Sequence, residues 1–200
     1  MTEPDAAAPL TGVVLVGGRS TRMGRDKALL TLPNGLTLLD QAIATLRTAG
    51  VSQIFVSVRL GQTYGRPDTR EIADATENCG PLAGLVAAFD AAQTNHIAVL
   101  AVDLPAMTPS FLRKLIARCT TTSGAVPHEN DFFEPLVAIY SRRAAESARA
   151  ALAAGRFSLQ TWVSKQVATG QIQPVKIEPA ETGLFTNWNR PEDYSGADSP

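Results

Sequence analysis

Residues 15–27 of the 200-residue chain read Leu15-Val16-Gly17-Gly18-Arg19-Ser20-Thr21-Arg22-Met23-Gly24-Arg25-Asp26-Lys27. They continue an apolar run, residues 12–16, which is typical of a buried β-strand that ends at a glycine pair. The glycines allow a tight turn and let the backbone approach another molecule without a Cβ clash. Four of the side chains are cationic, namely Arg19, Arg22, Arg25 and Lys27. A glycine-rich backbone with several cations after a buried strand predicts a nucleoside triphosphate site.

This loop matches neither of two common phosphate-binding motifs. A P-loop requires Gly-x-x-x-x-Gly-Lys-Ser/Thr, whereas the interval from Gly18 to Gly24 is different and Arg25-Asp26-Lys27 follows it. The dinucleotide fingerprint Gly-x-Gly-x-x-Gly is absent because Gly17 and Gly18 are adjacent. The remaining pattern, Gly-Gly-x-Ser-x-Arg-Met-Gly-x-Asp-Lys, resembles the signature of nucleotidyltransferases with a glycosyltransferase-A-like α/β fold. The alternative is a solvated strand-to-helix loop with ordinary surface charges.

The composition predicts one soluble enzyme domain spanning residues 1–200. The chain is 44% hydrophobic and has a formal net charge of −1, so it can bury a sizeable core and has no basic excess for nucleic acid. No apolar run approaches membrane-spanning length, and residues 1–9 lack the pattern of an export signal. Cys79 and Cys119 lack metal-ligand spacing. We expect a cytoplasmic protein that binds neither nucleic acid nor membranes, with flexible tails at residues 1–9 and 196–200.

Strand-like and helix-like segments alternate along the chain. Strands are predicted at residues 12–16, 53–59, 70–73 and 97–102, with crossover helices at residues 38–49 and 82–92. Later segments are predicted as a helix at 109–118, a strand at 133–140, a helix at 142–154 and a strand at 174–177. This alternation predicts a Rossmann-like, three-layer α/β/α fold with helices on both faces of a mainly parallel central sheet.

Asp103 follows the most strongly apolar strand candidate, residues 97–102. Ligands of open α/β sheets bind beyond the carboxyl ends of the strands, where Asp103 and the glycine loop are both expected. A carboxylate at this place suits Mg²⁺, which usually takes one or two carboxylates and substrate phosphates. The alternative is that Asp103 caps the next helix, although Thr108 followed by Pro109 is the better cap.

Asp74 ends the weaker strand candidate at residues 70–73 and precedes Gly80-Pro81-Leu82-Ala83-Gly84. Gly80 and Pro81 favour a helix start whose N–H groups face the same edge of the sheet. An ordinary turn aspartate is the alternative interpretation of Asp74.

Two asparagines lie near the end of the chain, in Phe185-Thr186-Asn187-Trp188-Asn189-Arg190-Pro191-Glu192-Asp193. In an extended segment Asn187 and Asn189 share one face. A turn is the alternative, in which Asn189 caps a helix that begins at Pro191.

These motifs, in this order and spacing across residues 11–194, resemble the molybdenum cofactor guanylyltransferases. The resemblance implies transfer of GMP from GTP to the terminal phosphate of the molybdenum-molybdopterin cofactor, with release of pyrophosphate and with Mg²⁺ as cofactor. It implies GTP and the molybdopterin cofactor as small-molecule partners, and transient contact with proteins that deliver molybdopterin or mature molybdoenzymes.

The resemblance also implies roles for individual residues. Arg22, Lys27 and Asp103 are implied to be catalytic, with Asp103 as the metal ligand. The implied nucleotide-binding residues are Leu15, Val16, Gly17, Gly18, Arg19, Lys27, Ser57, Asp74, Gly80, Gly84 and Asp103. Asn187 and Asn189 are implied to bind the acceptor. No general base is expected, because a phosphate nucleophile is already deprotonated near pH 7.

Three positions depart from the family pattern, and two other functions remain open. Val16 stands where Ala is usual, Ser57 where Asn is frequent, and Glu134 precedes Pro135 where His or Gln is frequent. One alternative is a cytidylyltransferase acting on molybdopterin or a sugar-like alcohol phosphate, although such enzymes end in Asp-x-Asp rather than Asn-x-Asn. The other is a nucleotide-binding module without catalysis.

Overall fold

The computed structural model describes residues 10–16, 26–74 and 79–188. Several sequence-based predictions lie outside the described residues: the tails at 1–9 and 196–200, and the site residues Gly17, Gly18, Arg19, Arg22 and Asn189. Among the segments that are described, no helix combines the length and the apolar character needed to cross a membrane.

Eight strands form one sheet in the described part of the chain. They are β1 (Leu10–Leu15), β2 (Gln53–Val58), β3 (Arg70–Ala73), β4 (His96–Ala101), β5 (Gly124–Glu129), β6 (Phe132–Phe133), β7 (Val137–Ser141) and β8 (Ile172–Lys176). The order is β3-β2-β1-β4-β7-β5-β6, and β8 pairs with β5. The first four strands are parallel, as are β5 and β8, whereas β7 is antiparallel to β4 and β5, and β6 is antiparallel to β5. The predicted α/β fold with mostly parallel core strands is confirmed.

Three of the five α-helices in the described residues begin at a Ser or Thr side-chain cap. The α-helices in the described residues are α1 (Leu38–Thr48), α2 (Pro81–Ala91), α3 (Pro109–Ile116), α4 (Ala145–Ala153) and α5 (Leu159–Ala168), with short 3-10 helices at Lys27–Leu29, Arg142–Ala144 and Pro179–Phe185. The hydroxyl of Thr37 accepts a hydrogen bond from the Asp40 N–H at the start of α1. The hydroxyl of Thr108 accepts a hydrogen bond from the Phe111 N–H at the start of α3. Side-chain caps of this kind satisfy N–H groups that the first helical turn leaves unpaired.

Both faces of the central strands are buried. Along β1, Val13 and Leu15 pack in one core with residues of α2, α4 and α5. Val14 and the following Val16 pack in a second core with residues of α1 and α3. A strand whose alternate side chains enter two cores must lie in the middle layer, so the three-layer arrangement follows from the burial pattern.

The second half of the chain departs from the predicted elements. Strand β5 and helix α5 were not predicted, and the strand predicted at 133–140 is divided into β6 and β7 by the segment 134–136. Pro127 lies within β5 and lacks a backbone N–H, a feature that argues against a strand when sequence alone is read. The predicted helix at 142–154 begins as the 3-10 turn Arg142–Ala144 and continues as α4.

Candidate active site

Four predicted site residues lie at the edge of the sheet where the parallel strands end. Leu15 is the last residue of β1 and pairs with Ser57 of β2. Asp74 follows β3, and its N–H donates to the carbonyl oxygen of Val58 at 3.1 Å. Asp103 follows β4. Because the carboxyl ends of parallel strands meet at one edge, the sheet itself brings these residues together.

Lys27 and Asp103 form an ion pair at this edge. The Nζ atom of Lys27 lies 3.6 Å from Oδ2 of Asp103, and the two side chains are 14% and 27% exposed. Lys27 is the first residue of the 3-10 helix Lys27–Leu29, which Asp26 caps. Asp103 does not serve as the cap of α3, since Thr108 fills that position.

The second carboxylate oxygen of Asp103 fits a hard cation. This Oδ1 atom is buried and has no hydrogen-bond partner in the part of the chain that the structure describes. Burial of an unpartnered charged oxygen is costly, and a carboxylate oxygen is a preferred ligand of Mg²⁺. The described residues contain no group of three or more His, Cys, Asp or Glu side chains that could hold a metal. A cation at Asp103 could take phosphate and water oxygens as further ligands, as Mg²⁺ usually does.

A second cluster joins Ser57, Asp74 and Gly84. The hydroxyl of Ser57 donates to Oδ1 of Asp74 at 2.6 Å. A Cβ atom on Gly84 would lie 2.6 Å from the Ser57 hydroxyl oxygen and 3.2 Å from Oδ1 of Asp74. Burial raises the pKa of the Asp74 carboxyl, and the hydrogen bond from Ser57 opposes this shift. The glycine in α2 thus permits the close approach of a polar pair held by β2 and β3.

Gly80 shapes the start of α2 beside this cluster. Its φ of 66° and ψ of −166° lie in a region that L side chains rarely adopt, and Pro81 occupies the first helical turn. The helix N-terminus predicted at this edge is therefore present. Gly80 is the N-cap of α2, and Gly84 lies one turn later within the helix.

Asn187 lies in the segment that follows the 3-10 helix Pro179–Phe185. The N–H of Trp188 donates to the carbonyl oxygen of Asp103 at 3.1 Å, and the Phe185 ring packs edge-on against Phe111 with centroids 5.3 Å apart. These contacts place the backbone of Asn187 beside Asp103, and the Asn187 side chain is exposed.

Comparisons with known proteins show the family to which the chain belongs. The family described as MobA-like NTP transferase domain matches residues 12–169. A probable molybdenum cofactor guanylyltransferase of Opitutus terrae is 40% identical over 190 residues, which cover 94% of each protein. The chain belongs to the molybdenum cofactor guanylyltransferases. The guanylyltransferase of Xanthomonas euvesicatoria is 37% identical over 191 residues, covering 94% of this chain and 93% of the relative.

Solved structures confirm the nucleotidyltransferase fold of this guanylyltransferase family member. The molybdopterin-guanine dinucleotide biosynthesis protein A of Archaeoglobus fulgidus is 24% identical and has a TM-score of 0.71, covering 94% of this chain and 96% of that one. The 2-C-methyl-D-erythritol 4-phosphate cytidylyltransferase of Thermus thermophilus is 16% identical, with a TM-score of 0.66 and coverage of 92% and 95%. At these identities the likeness extends to the fold alone.

Glu134 adds a carboxyl that the sequence showed only as a departure from the guanylyltransferase pattern. Burial raises the pKa of this half-buried carboxyl, and the charges of Glu129 and Asp103 add to the shift. The residues on either side are anchored. The hydroxyl of Tyr140 donates to the carbonyl oxygen of Pro135 at 2.7 Å, and the Gln160 side chain forms hydrogen bonds with the Phe133 backbone. The segment around Glu134 is thus held close enough to Asp103 for the two charges to interact.

Proposed function

We propose that this protein transfers GMP from GTP to the terminal phosphate of the molybdenum-molybdopterin cofactor and releases pyrophosphate. The observation that carries the proposal is the pairing of Lys27 with Asp103, whose second oxygen is buried and lacks a partner among the described residues. A cation beside an unsatisfied carboxylate suits a metal-bound polyphosphate. Membership of the guanylyltransferase family supports the choice of nucleotide and acceptor.

The reaction requires charge neutralisation rather than proton transfer. An oxygen of the acceptor phosphate forms a bond to the α-phosphorus of GTP, while the bond from that phosphorus to the bridging α–β oxygen breaks and pyrophosphate leaves. The acceptor oxygen is already deprotonated near pH 7, so no general base is needed. Lys27 offsets the charge of the phosphoryl oxygens and of the leaving group. Asp103 would hold Mg²⁺, which when bound supplies further neutralisation of the phosphates.

We assign the nucleoside to the side of the edge formed by Ser57, Asp74 and Gly84. The hydrogen-bonded carboxylate of Asp74 is a fixed acceptor for nucleoside N–H or O–H groups. Leu15, Val16 and Gly80 line the same edge and complete the described part of this assignment. Gly17 is assigned to the nucleoside with them, whereas Gly18, Arg19 and Arg22 are assigned to the phosphates. The acceptor is assigned to Asn187 and Asn189.

The proposal also covers the setting in which the enzyme works. We place residues 1–200 in one nucleotidyltransferase domain that acts in the cytoplasm with Mg²⁺. Transient contact with proteins that deliver molybdopterin or mature molybdoenzymes belongs to the same proposal.

Nucleotide choice is the experiment that tests the function. Pyrophosphate release is measured with Mg²⁺, the molybdenum-molybdopterin acceptor, and GTP, CTP, ATP or UTP in parallel, and binding of each nucleotide is followed by thermal shift. GTP is expected to be favoured over CTP by roughly ten- to hundredfold, because a guanine site leaves buried polar groups unpaired around a pyrimidine. Equal turnover of GTP and CTP would indicate the cytidylyltransferase alternative or a tolerant enzyme. A shift in melting temperature without pyrophosphate release would indicate a binding module.

A further inference from the structure

Asp26 connects the end of the cationic loop to a distant part of the chain. Its Oδ1 atom accepts a hydrogen bond from the Ala28 N–H at 3.1 Å, and its carbonyl oxygen accepts one from the Leu29 N–H at 3.1 Å. These bonds close the 3-10 turn in which Lys27 is the first residue. Asp26 therefore closes the turn from which the Lys27 side chain extends.

The other oxygen of Asp26 is held by the loop between β2 and β3. The hydroxyl of Tyr64 donates to Oδ2 of Asp26 at 2.8 Å, and the side-chain amide of Gln62 donates to the same oxygen at 2.6 Å. Gln62 and Tyr64 also contact each other, with the amide nitrogen 2.6 Å from the hydroxyl oxygen. Bonds from neutral donors to a carboxylate are stronger than bonds between neutral groups.

Tyr64 is itself fixed in place. Its N–H donates to Oε1 of Glu71 in β3 at 2.6 Å, and the Gly65 N–H donates to the same oxygen at 2.9 Å. Burial raises the pKa of the half-buried Tyr64 hydroxyl, and the hydrogen bond and charge of Asp26 raise it further. The hydroxyl is therefore protonated near neutral pH and can donate to Asp26.

We infer that Gln62 and Tyr64 are positioning residues for Lys27. They hold Asp26, and Asp26 holds the turn that directs the Lys27 ammonium towards Asp103. A lysine side chain has four flexible carbons. A fixed backbone turn leaves only this side chain to be ordered when the ammonium meets a phosphate, so less conformational entropy is lost. The inference rests on the proposed function, because it gives Lys27 a catalytic role.

A double-mutant cycle separates positioning from general support of the fold. Tyr64→Phe removes only the hydroxyl, and we expect kcat to fall by roughly three- to tenfold, as one lost hydrogen bond implies, with a smaller change in the KM for GTP. In the Lys27→Ala background the same substitution is expected to change kcat less than about twofold, because residues that act through one group are not additive. An equal loss in both backgrounds would overturn the inference.

Amide exchange provides a readout that does not depend on turnover. Exchange of the Ala28 and Leu29 amides is expected to become roughly three- to tenfold faster in Tyr64→Phe, because the turn opens more often. Unchanged exchange together with wild-type kcat would also overturn the inference. The cycle uses whichever nucleoside triphosphate the wild-type protein turns over, so the positioning inference and the guanylyl assignment can fail separately.

Arg47→Ala is the matched control. The Arg47 guanidinium donates to the carbonyl oxygens of Pro67 and Asp68 at the far end of the same loop. Among the described residues, Asp26 is not one of its hydrogen-bond partners. We expect Arg47→Ala to leave kcat and the exchange of Ala28 and Leu29 unchanged. If this variant reproduced the effects of Tyr64→Phe, any disturbance of the loop would suffice and the specific role of Tyr64 would be refuted.

Discussion

The two halves of the sheet deliver residues to the candidate site in opposite ways. In the parallel half, β3-β2-β1-β4, every strand ends at the site, so Leu15, Ser57, Asp74 and Asp103 arrive from strand ends. In the other half β7 is antiparallel to β4, so its beginning, preceded by Glu134, lies at the same edge. The rule that ligands bind at the carboxyl ends of strands therefore finds the residues that end the parallel strands but not Glu134, which precedes β7.

The halves also differ in how firmly their polar groups are held. On the parallel side, Ser57 is 2% exposed and donates to Asp74. On the other side, Glu134 is half-buried near two further carboxylates, and the Asn187 side chain is exposed. Under the proposed function, the nucleoside side is preformed, whereas the carboxylates near Glu134 make the acceptor side less favourable for a further negative charge. The predictions below test that contrast, from the largest expected effect to the smallest.

Removal of the Lys27 ammonium should have the largest effect. Lys27→Ala is expected to lower kcat by roughly 10²–10³-fold, about 3–4 kcal/mol of transition-state stabilisation. The melting temperature should stay close to that of the wild type, because the ammonium contacts Asp103 at the site edge rather than the core. Near-wild-type turnover of a folded Lys27→Ala variant at saturating GTP would contradict the catalytic role.

Asp103→Asn should have the second-largest effect on turnover. The amide keeps the shape of the carboxylate but lacks the charge that attracts a hard cation. We expect kcat to fall by roughly 10²-fold, and nucleotide binding to lose its dependence on Mg²⁺ in a titration.

Thr108→Val is the control for the alternative role of Asp103. Loss of the cap that Thr108 provides to α3 should lower the free energy of unfolding by about 1 kcal/mol and leave Mg²⁺ affinity unchanged. The opposite pattern, with Asp103→Asn destabilising the fold and keeping Mg²⁺ affinity, would return Asp103 to a structural role.

Gly84→Ala tests the nucleoside side alone. The added methyl group would meet the Ser57 hydroxyl and Asp74, so this pair must move apart. We expect the KM for GTP to rise roughly tenfold with kcat changed less than about twofold, because the lost contacts are equal in the ground and transition states. Gly183→Ala is the control, since a Cβ there would have no neighbour within 4 Å among the residues that the structure describes. An equal rise in KM in both variants would refute the assignment.

Glu134→Gln should have the smallest effect, on the other side of the site. The folded-state pKa of Glu134 is raised, so ionisation of this carboxyl costs folding free energy. The stability that the protonated carboxyl provides is therefore lost as pH rises through that pKa. The amide should therefore stabilise the metal-free protein at pH 7 by about 0.5 kcal/mol, or about 1–2 °C in melting temperature. The gain should vanish below about pH 4, where the carboxyl is protonated in both states. A gain that persists at low pH would exclude charge as its cause.

Much of the parallel half could be predicted because its signals are local. Apolar runs predict β1 and β4, and Asp103 follows directly from the second of them. The Tyr64 and Gln62 contacts with Asp26 could not be predicted, because they join residues far apart in sequence through a loop without a periodic pattern. Strand β5 was missed because Pro127 and the short length of β6 obscure its pairing.

The hydrogen bond from Trp188 to the carbonyl oxygen of Asp103 has a consequence for how the protein matures during synthesis. Contacts between residues far apart in sequence slow folding, because the entropy of closing a long loop is lost before the contacts can stabilise the chain. The strands β1 to β4 can pair while later residues are still being added, but the surroundings of Asp103 are complete only after residue 188 has joined them. A nascent chain would therefore hold the four paired parallel strands some time before it could complete the surroundings of Asp103.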